Sequence, residues 1–466
     1  MKKIIVWFRK DLRLHDHPAL WEAAQQGFVI PVFIWSKAEE LELQACDASL
    51  WWLHYSLLSF RQRLPLIIRQ GNTLEILQNL IHETQADAVF FNERYEPSIV
   101  RRDQEIVTQL KLQNIDVRTF NGNLLYSPKD MLNQKQEPYK VFTSFWKKSM
   151  QVPAHRPTPT PHAFEIYRKS LESIEIEELN LLTTMPCHKK LTSYWEPGEL
   201  GAIKTWEQFQ SGDLSIYDQM RDFPFKIVTS TLSPYLAWGD ISVRSIFYSA
   251  RKNDSPSIHT FIKQLTWREF SYHQLIHFPS FANKPLRSNF ERFPWQNDVE
   301  SFKQWTIGLT GYPLVDAGMR ELLETGYMHN RVRMVAASFL VKHLLVDWRK
   351  GYEWFQQNLV DFDVANNAMG WQWIAGSGID SAPYFRIFNP ISQSEKFDSS
   401  GGYIRQWVPE LSTLPAPYIH RPWEAPDFML EELGIRMGIN YPLPIVEHSR
   451  ARLRALDAYN TIKGTK

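Results

Sequence analysis

The first 130 residues alternate two kinds of segment, and this alternation limits the folds open to the chain. Short runs rich in β-branched and aromatic residues lie at Ile4–Phe8, Val29–Trp35, Leu66–Arg69, Ala88–Phe91 and Val117–Phe120. The stretches between them have helical composition, at Pro18–Gln26, Leu50–Leu64, Thr73–Thr84 and Glu96–Leu112. Strand and helix in alternation predict a doubly wound α/β domain with a mostly parallel sheet. The segment contains neither G-x-G-x-x-G nor a P-loop, so a dinucleotide or nucleoside triphosphate is not indicated there.

The pattern changes after residue 130. Four prolines between Val152 and Pro161 exclude a helix or a central strand, so this stretch predicts an extended, exposed connector. From about residue 201 the hydrophobic period is helical, and Met328–Trp348, without Gly or Pro, predicts one long, largely buried helix. We therefore expect an α/β domain over 1–130, a linker over 131–200 and a larger all-helical domain over 201–466.

Composition excludes several classes of protein. The formal charge is +1, from 52 Lys and Arg against 51 Asp and Glu, so any contact with nucleic acid must come from a local basic patch. No apolar run reaches the roughly 18 residues of a membrane-spanning helix. Cys46 and Cys187 cannot make a disulfide framework or a cysteine-based zinc site. We expect a cytoplasmic protein without a membrane segment or a bound metal.

A first polar cluster comprises Tyr217 and the stretch from Thr229 to Tyr235. Its four hydroxyl residues Thr229, Ser230, Thr231 and Ser233 precede Pro234, which suits the first turn of a helix. Hydroxyl groups, backbone amides and the positive end of a helix together could bind a phosphate. A capped helix start with no ligand is the alternative.

A second cluster is denser. The thirteen residues from Asp361 to Trp373 contain two carboxylates, two Asn amides and two Trp side chains in an otherwise apolar neighbourhood. The polar groups could satisfy the edge of a polar ring system, and the indoles could supply flat surfaces. Metal binding is the alternative, although carboxylates without clustered His make a poor transition-metal site.

A third cluster joins Trp267–Phe270 to the segment Met328–Met334. On one helix Asn330, Arg333 and Met334 share a face, with Arg331 about 100° away. Arg333 could pair with Asp361 and so fix a carboxylate against a cofactor. A purely structural salt bridge would explain Arg333 equally well.

Long motifs from both halves of the chain resemble the photolyase/cryptochrome family. They are W-F-R-K-D-L-R-L-H-D-H-P-A-L at 7–20, W-R-E-F at 267–270, T-G-Y-P-L-V-D-A-G-M-R at 310–320, H-N-R-V-R-M at 329–334, G-W-Q-W at 370–373 and A-P-Y-F-R-I-F-N-P at 382–390. The resemblance extends over essentially the whole chain. It implies an α/β domain followed by a helical domain that holds FAD.

The resemblance also implies roles for individual residues toward FAD. Arg333 and Asp361 would form the ion pair beside the isoalloxazine ring, and Asn367 would lie opposite flavin N5, where an amide is typical of repair enzymes. The full expected cofactor set is Tyr217, Thr229, Ser230, Thr231, Leu232, Ser233, Gln264, Arg268, Asn330, Arg333, Asp361, Phe362, Asp363 and Asn367. By the same resemblance Trp371, Trp348 and Trp295 would carry electrons from the surface to photoexcited oxidised FAD.

The substrate implied by the resemblance is a pyrimidine dimer flipped out of DNA. Light-excited reduced FAD would give one electron to the dimer, the cyclobutane bonds would split and the electron would return. Expected substrate contacts are Trp267, Trp373, Met334, Asn330, Arg331, Arg221 and Arg386. Enzymes that repair (6-4) photoproducts carry His at the positions of Asn330 and Met334, so the residues here favour the cyclobutane dimer.

Two departures from the family pattern bear on function. Gln264 stands where enzymes acting on cyclobutane dimers commonly carry Glu, which places repair efficiency and lesion choice in question. In the N-terminal domain Asn92–Glu96 resembles an antenna loop. However, the two positions at which many family members carry the folate-binding Asn and Glu are occupied here by Ser98 and Ile99. A second chromophore, folate or deazaflavin, is therefore expected without a fixed identity.

The resemblance leaves alternative functions open. A signalling cryptochrome or a (6-4) photolyase would share most of these motifs. Signalling members commonly carry a long tail after the helical domain, and this chain has little sequence beyond Tyr459, so we expect a repair enzyme. We also expect a monomer.

Overall fold

The computed structural model describes residues 1–40, 47–161, 163–182, 188–226, 228–252 and 254–463. Cys46 and Cys187 lie outside these residues. In the first part, five strands and four helices alternate: β1 Lys2–Phe8, α1 Pro18–Gln26, β2 Gly27–Trp35, α2 Asp47–Arg61, β3 Ile67–Gln70, α3 Thr73–Thr84, β4 Ala88–Asn92, α4 Pro97–Leu112 and β5 Asp116–Phe120. All strand pairs are parallel, in the order β3-β2-β1-β4-β5. The predicted doubly wound sheet is confirmed.

The central strand β1 belongs to two hydrophobic cores because successive side chains of a strand point to opposite faces. Ile5 and Trp7 pack with residues of α3 and α4 in one core. Ile4, Val6 and Phe8 belong to the other core, which continues without a break into the helices of the second half of the chain. The sheet and the helical part therefore share one apolar interior.

The remainder of the described chain is helical. Its α-helices are α5 Phe142–Ser149, α6 His188–Leu191, α7 Glu199–Ser211, α8 Tyr217–Met220, α9 Ser233–Trp238, α10 Val243–Ala250, α11 Pro256–His277, α12 Val299–Thr306, α13 Pro313–Thr325, α14 Asn330–Ser338, α15 Trp348–Asn358, α16 Val364–Ala375, α17 Pro390–Phe397, α18 Gly402–Trp407, α19 Ala416–Ile419, α20 Asp427–Glu432 and α21 His448–Lys463. Short 3-10 helices connect them at Pro128–Met131, Ile176–Leu179, Asp213–Ile216, Pro279–Ala282, Ser288–Arg292, Pro409–Leu411 and Pro422–Glu424. Residues 152–161 contain no helix or strand, as predicted. Within the described ranges, no helix is both long and apolar enough to cross a membrane.

The single helix predicted over Met328–Trp348 is wrong. The segment is buried as expected, but α14 ends at Ser338, a π-helical turn follows over Phe339–His343, and a new helix begins at Trp348. Leu345 has a φ of 52°, outside the right-handed helical region. Asp347 then caps α15 by accepting the Arg349 N–H. The absence of Gly and Pro was therefore no guide to this break.

Candidate functional site

An ion pair lies at the centre of the helical part. Arg333 on α14 donates to Oδ2 of Asp361 at 2.9 Å, and its Nε donates to the Met328 carbonyl at 2.6 Å. The hydroxyl of Ser233, the first residue of α9, donates to the same carboxylate oxygen at 2.7 Å. The predicted pairing of Arg333 with Asp361 is confirmed, and it brings three separate segments together.

The other oxygen of Asp361 is left for a ligand. Only 3% of this side chain is exposed, and its Oδ1 is buried without a hydrogen-bond partner among the described residues. A buried carboxylate oxygen without a partner is costly, so such atoms commonly mark a site that a ligand completes. The N–H group at the polar edge of a flavin ring is a donor of the required kind, so this residue fits FAD.

The hydroxyl-rich segment before α9 is irregular. Thr231 has a φ of 49°, and its hydroxyl donates to the Ser230 carbonyl at 2.8 Å. Leu232 is buried, whereas the three residues from Thr229 to Thr231 remain outside any helix. Pro234 lies in the first turn of α9, as predicted. The segment thus presents hydroxyl groups and backbone amides beside the Arg333–Asp361 pair.

A chain of polar contacts runs along one side of α11 to the start of α16. The Arg268 guanidinium donates to the Asn123 carbonyl at 2.9 Å and lies 4.8 Å from the centre of the Tyr272 ring. The Tyr272 hydroxyl donates to Asp363, whose other oxygen accepts the backbone N–H of Asn366 at 2.8 Å. Asp363 therefore caps α16 while its carboxylate is fixed from the side of α11.

Helix α16 carries the amide and the two indoles singled out in the sequence. Asn367 Nδ2 donates to the Tyr352 carbonyl at 3.2 Å. Trp371 is 2% exposed and packs edge-on against Phe355, with 5.0 Å between ring centres, whereas Trp373 is only partly buried. Two residues along a helix correspond to a rotation of about 200°, so the two indoles face opposite directions.

The other two Trp of the expected electron path lie toward α15 and the C-terminal helix. Trp348 is buried at the start of α15. The same helix contacts Trp371 at Gly351, where a Cβ atom would lie 2.1 Å from the indole. Trp295 is partly buried and lies 4.2 Å, centre to centre, from Phe293. The lack of a side chain at Gly351 therefore lets α15 pack closely against Trp371.

Several of the residues expected to contact substrate lie on α11 and α14 and are half-buried or exposed. Trp267 and Met334 are partly buried, and Asn330, which is exposed, points its amide at the Met334 sulfur at 3.8 Å. Gln264 lies one turn before Trp267 on the same face of α11, and its Nε2 donates to the Thr260 carbonyl at 3.3 Å.

Three arginines were expected to bind phosphate groups. Arg331 and Arg221 flank the carboxylate of Asp222, at 2.6 Å and 3.8 Å respectively. Arg221 also lies 5.4 Å from the ring centre of Tyr217, which is buried at the start of α8. Arg386 is exposed on the segment between α16 and α17, where its carbonyl accepts from Lys342. Arg221 and Arg331 are half-buried and Arg386 is exposed, so none of the three lies in the core.

Two residues at the centre of the site were missed by the sequence analysis. Tyr272 donates a hydrogen bond to Asp363. The Arg333 guanidinium lies over the ring of Tyr327, 5.0 Å from the centre of that ring. Burial raises the pKa of Tyr327 to about 12, so its phenol stays protonated. For Tyr272 the sequence offered one signal, because it lies four residues after Arg268 and so on the same face of a helix. For Tyr327 it offered none, because the contact with Arg333 depends on the turn of the chain just before α14.

We expect the stability of the fold to depend on pH through Glu269. It is 4% exposed, and burial raises the pKa of its carboxyl to about 7 although Arg268 opposes the shift. The unfolded chain would release this proton near pH 4.5, so unfolding becomes easier as pH rises from there through 7. We would measure the free energy of unfolding in urea for Glu269→Gln and for the original protein. The difference between them, variant minus original, should become more favourable to the variant by about 3 kcal/mol from pH 5 to pH 8.

The matched control for that experiment is Glu291→Gln, since Glu291 is exposed. Its difference from the original protein should be the same at both pH values. An equally flat difference for Glu269→Gln would show that the folded protein holds Glu269 ionised throughout.

No group of three or more metal-ligating His, Cys, Asp or Glu residues occurs in the part of the chain that the structure describes.

Comparison with known proteins gives consistent matches along the chain. The family model described as "DNA photolyase" matches residues 4–162, and that described as "FAD binding domain of DNA photolyase" matches residues 261–461. A deoxyribodipyrimidine photo-lyase of Agrobacterium fabrum is 46% identical over 99% of this chain and 98% of its own. Cryptochrome-2 of Arabidopsis thaliana is 40% identical over 97% of this chain and 78% of its own. The crystal structure of a class III photolyase from Agrobacterium tumefaciens superposes with a TM-score of 0.95 at 45% identity, covering 100% of this chain and 98% of the other.

Proposed function

This chain belongs to the photolyase/cryptochrome family, and we propose that it is a deoxyribodipyrimidine photolyase that repairs cyclobutane pyrimidine dimers in DNA with light. The observation that carries the proposal is the Arg333–Asp361–Ser233 cluster, whose one unpartnered carboxylate oxygen fits a flavin, in a chain that resembles photolyases over its full length. When bound, FAD supplies the light-driven electron to the dimer and takes it back. The protein's task is therefore to bind and orient the cofactor and the dimer and to exclude water from between them.

Three groups of residues would hold the cofactor. Asp361, fixed by Arg333 and Ser233, would accept from the ring's N–H, and Asp363, fixed by Tyr272, would lie near the polar edge. The Asn367 amide would face N5, and Phe362 would pack beside it. The phosphates would be held by the segment Thr229, Ser230, Thr231, Leu232 and Ser233 with Tyr217 and Arg268, while Gln264 and Asn330 complete the set on the substrate side.

A flipped dimer would enter between the two half-exposed indoles. Trp267 and Trp373 would form the walls, with Met334 against the dimer and the amide of Asn330 on the base edges. Arg221, Arg331 and Arg386 would bind the phosphates on either side, which positions DNA without reading its sequence. Because neither Asn330 nor Met334 can act as the proton donor that a (6-4) photoproduct needs, the proposed lesion is the cyclobutane dimer.

Photoreduction would use a separate path. Electrons would pass one at a time from the surface through Trp295, Trp348 and Trp371 to the flavin. The packing of α15, which begins at Trp348, against Trp371 at Gly351 supports a step between these two residues. A second chromophore, of folate or deazaflavin type, in the N-terminal domain remains part of the proposal. So do a monomeric state and a cytoplasmic location.

The test is repair of ultraviolet-irradiated oligo-dT under blue light by the purified, photoreduced protein. Recovery of thymine absorbance in the light, and none in the dark, is the expected result. No recovery while FAD is bound and reducible would overturn the proposal and favour a cryptochrome or a different lesion.

Changing Gln264 tests lesion choice. Gln264→Glu should maintain or raise dimer repair, because a carboxylate can accept from a thymine N–H and its negative charge strengthens that hydrogen bond. Gln264→Ala, which removes every polar contact to the base edge, should lower repair. We would measure dimers repaired per photon absorbed for both variants. A large loss in Gln264→Glu would mean that the amide serves another lesion.

A further inference from the structure

One face of Trp267 is covered by an aromatic residue from the linker. Phe142, the first residue of α5, is 4% exposed, and its ring lies parallel to the Trp267 indole at 6°, with 3.6 Å between ring centres. Since a parallel ring at van der Waals distance covers one whole face, the accessible part of the indole belongs to its opposite face and its edges.

This stack is closer than aromatic pairs usually choose. Ring centres normally lie about 4.5–7 Å apart in offset or edge-on arrangements, because the negative faces of two rings repel. A nearly eclipsed pair therefore has to be held by its surroundings. Phe270 packs edge-on against both rings, 5.8 Å from Phe142 and 5.9 Å from Trp267.

Phe142 is also tied to the opposite wall of the proposed dimer cleft. Its backbone N–H donates to Oδ2 of Asp380 at 2.6 Å. Asp380 lies in the segment that follows α16, and this segment returns to the helix where the Ala382 N–H donates to the Trp373 carbonyl at 3.1 Å. One residue thus contacts Trp267 through its ring and the Trp373 side through its backbone.

We propose that Phe142 is a positioning residue that orients Trp267 and sets the spacing of the two indole walls for the flipped dimer. This rests on the proposed function, since it concerns how that same cleft accepts its substrate. The ring would hold the outer face of Trp267 toward a base of the dimer, and the bond to Asp380 would prevent α5 and the Trp373 segment from moving apart.

The neighbouring Phe145 provides a matched control. It lies on the same helix and is equally buried, but its ring packs on Phe270 and His273 rather than on Trp267. Phe142→Leu and Phe145→Leu therefore remove similar apolar area from the same interface. Only the first removes the stack behind the indole.

The experiment measures binding of an oligonucleotide carrying one thymine dimer and of the same oligonucleotide undamaged. Phe142→Leu should lower the affinity for the dimer about tenfold. It should leave the affinity for undamaged DNA and the FAD content unchanged. Phe142→Tyr, which keeps the ring, should bind the dimer like the original protein. Phe145→Leu should lower the thermal midpoint and leave the ratio of the two affinities unchanged. An unchanged ratio in Phe142→Leu, or an equal fall in Phe145→Leu, would overturn the inference.

Two further outcomes are separable. If Phe142→Leu does not fold, Asp380→Ala removes the backbone anchor and should lower the same ratio, and an unchanged ratio there would reject the role. If the original protein itself binds both oligonucleotides equally, the proposed function fails, and the role of Phe142 fails with it.

Discussion

Trp371→Phe should abolish photoreduction of oxidised FAD while sparing dimer repair by enzyme that has been reduced beforehand. The buried indole packs against Phe355 and Gly351 of α15, and a smaller phenyl ring fits this space without a clash. A phenyl ring is, however, much harder to oxidise than an indole, so the step next to the flavin would be lost. We would follow the fall of oxidised-flavin absorbance under blue light with a thiol present, and then repair after chemical reduction.

A second buried tryptophan makes a strict control. Trp305 is fully buried, 6.4 Å from Trp371 between ring centres and at 69° to it, and its Nε1 donates to the Ala336 carbonyl. Trp305→Phe should photoreduce like the original protein. Normal photoreduction in Trp371→Phe would reject the proposed path, and its loss in Trp305→Phe instead would redirect the path through that residue.

Arg333→Met should yield protein without FAD and destabilise it by about 3–5 kcal/mol. The substitution keeps the aliphatic length but leaves Asp361, only 3% exposed, with the Ser233 hydroxyl as its remaining described hydrogen-bond donor. Removing one partner of a buried ion pair costs more than the pair contributes, because the remaining charge stays desolvated. Flavin absorbance per protein and urea unfolding would measure the two effects.

The same experiment has a matched control variant. Arg331→Met is the control, since Arg331 pairs with the more exposed Asp222 and should retain FAD. Full FAD content in Arg333→Met would contradict the cofactor assignment.

Sequence analysis predicted the fold well where one local pattern decides it. The five strands follow from alternating β-branched runs, and their observed ends differ from the predicted ones by at most two residues. The ion pair of Arg333 with Asp361 was also predicted, because the resemblance to the family implies it. The break after Ser338 was not, because the π turn and the Asp347 cap depend on hydrogen bonds that composition does not reveal.

Contacts made across the fold were the least predictable part of the site. Phe142 meets Trp267 across 125 positions of sequence, and Tyr327 meets Arg333 only because the chain turns before α14. Neither contact follows from a spacing on one helix. The signal in each case was a single aromatic residue, and a chain with 18 Trp, 18 Tyr and 28 Phe offers too many of those to choose from.

The division of β1 between two cores has a consequence for how the protein could have evolved. Ile4, Val6 and Phe8 contribute to an interior that also contains Trp371 and the helices around it. An N-terminal unit exchanged for that of a distant relative would have to match this interior side chain by side chain. The two halves are therefore expected to have been inherited together, and a chimera of unrelated halves would have to repack its core before it could bind a cofactor.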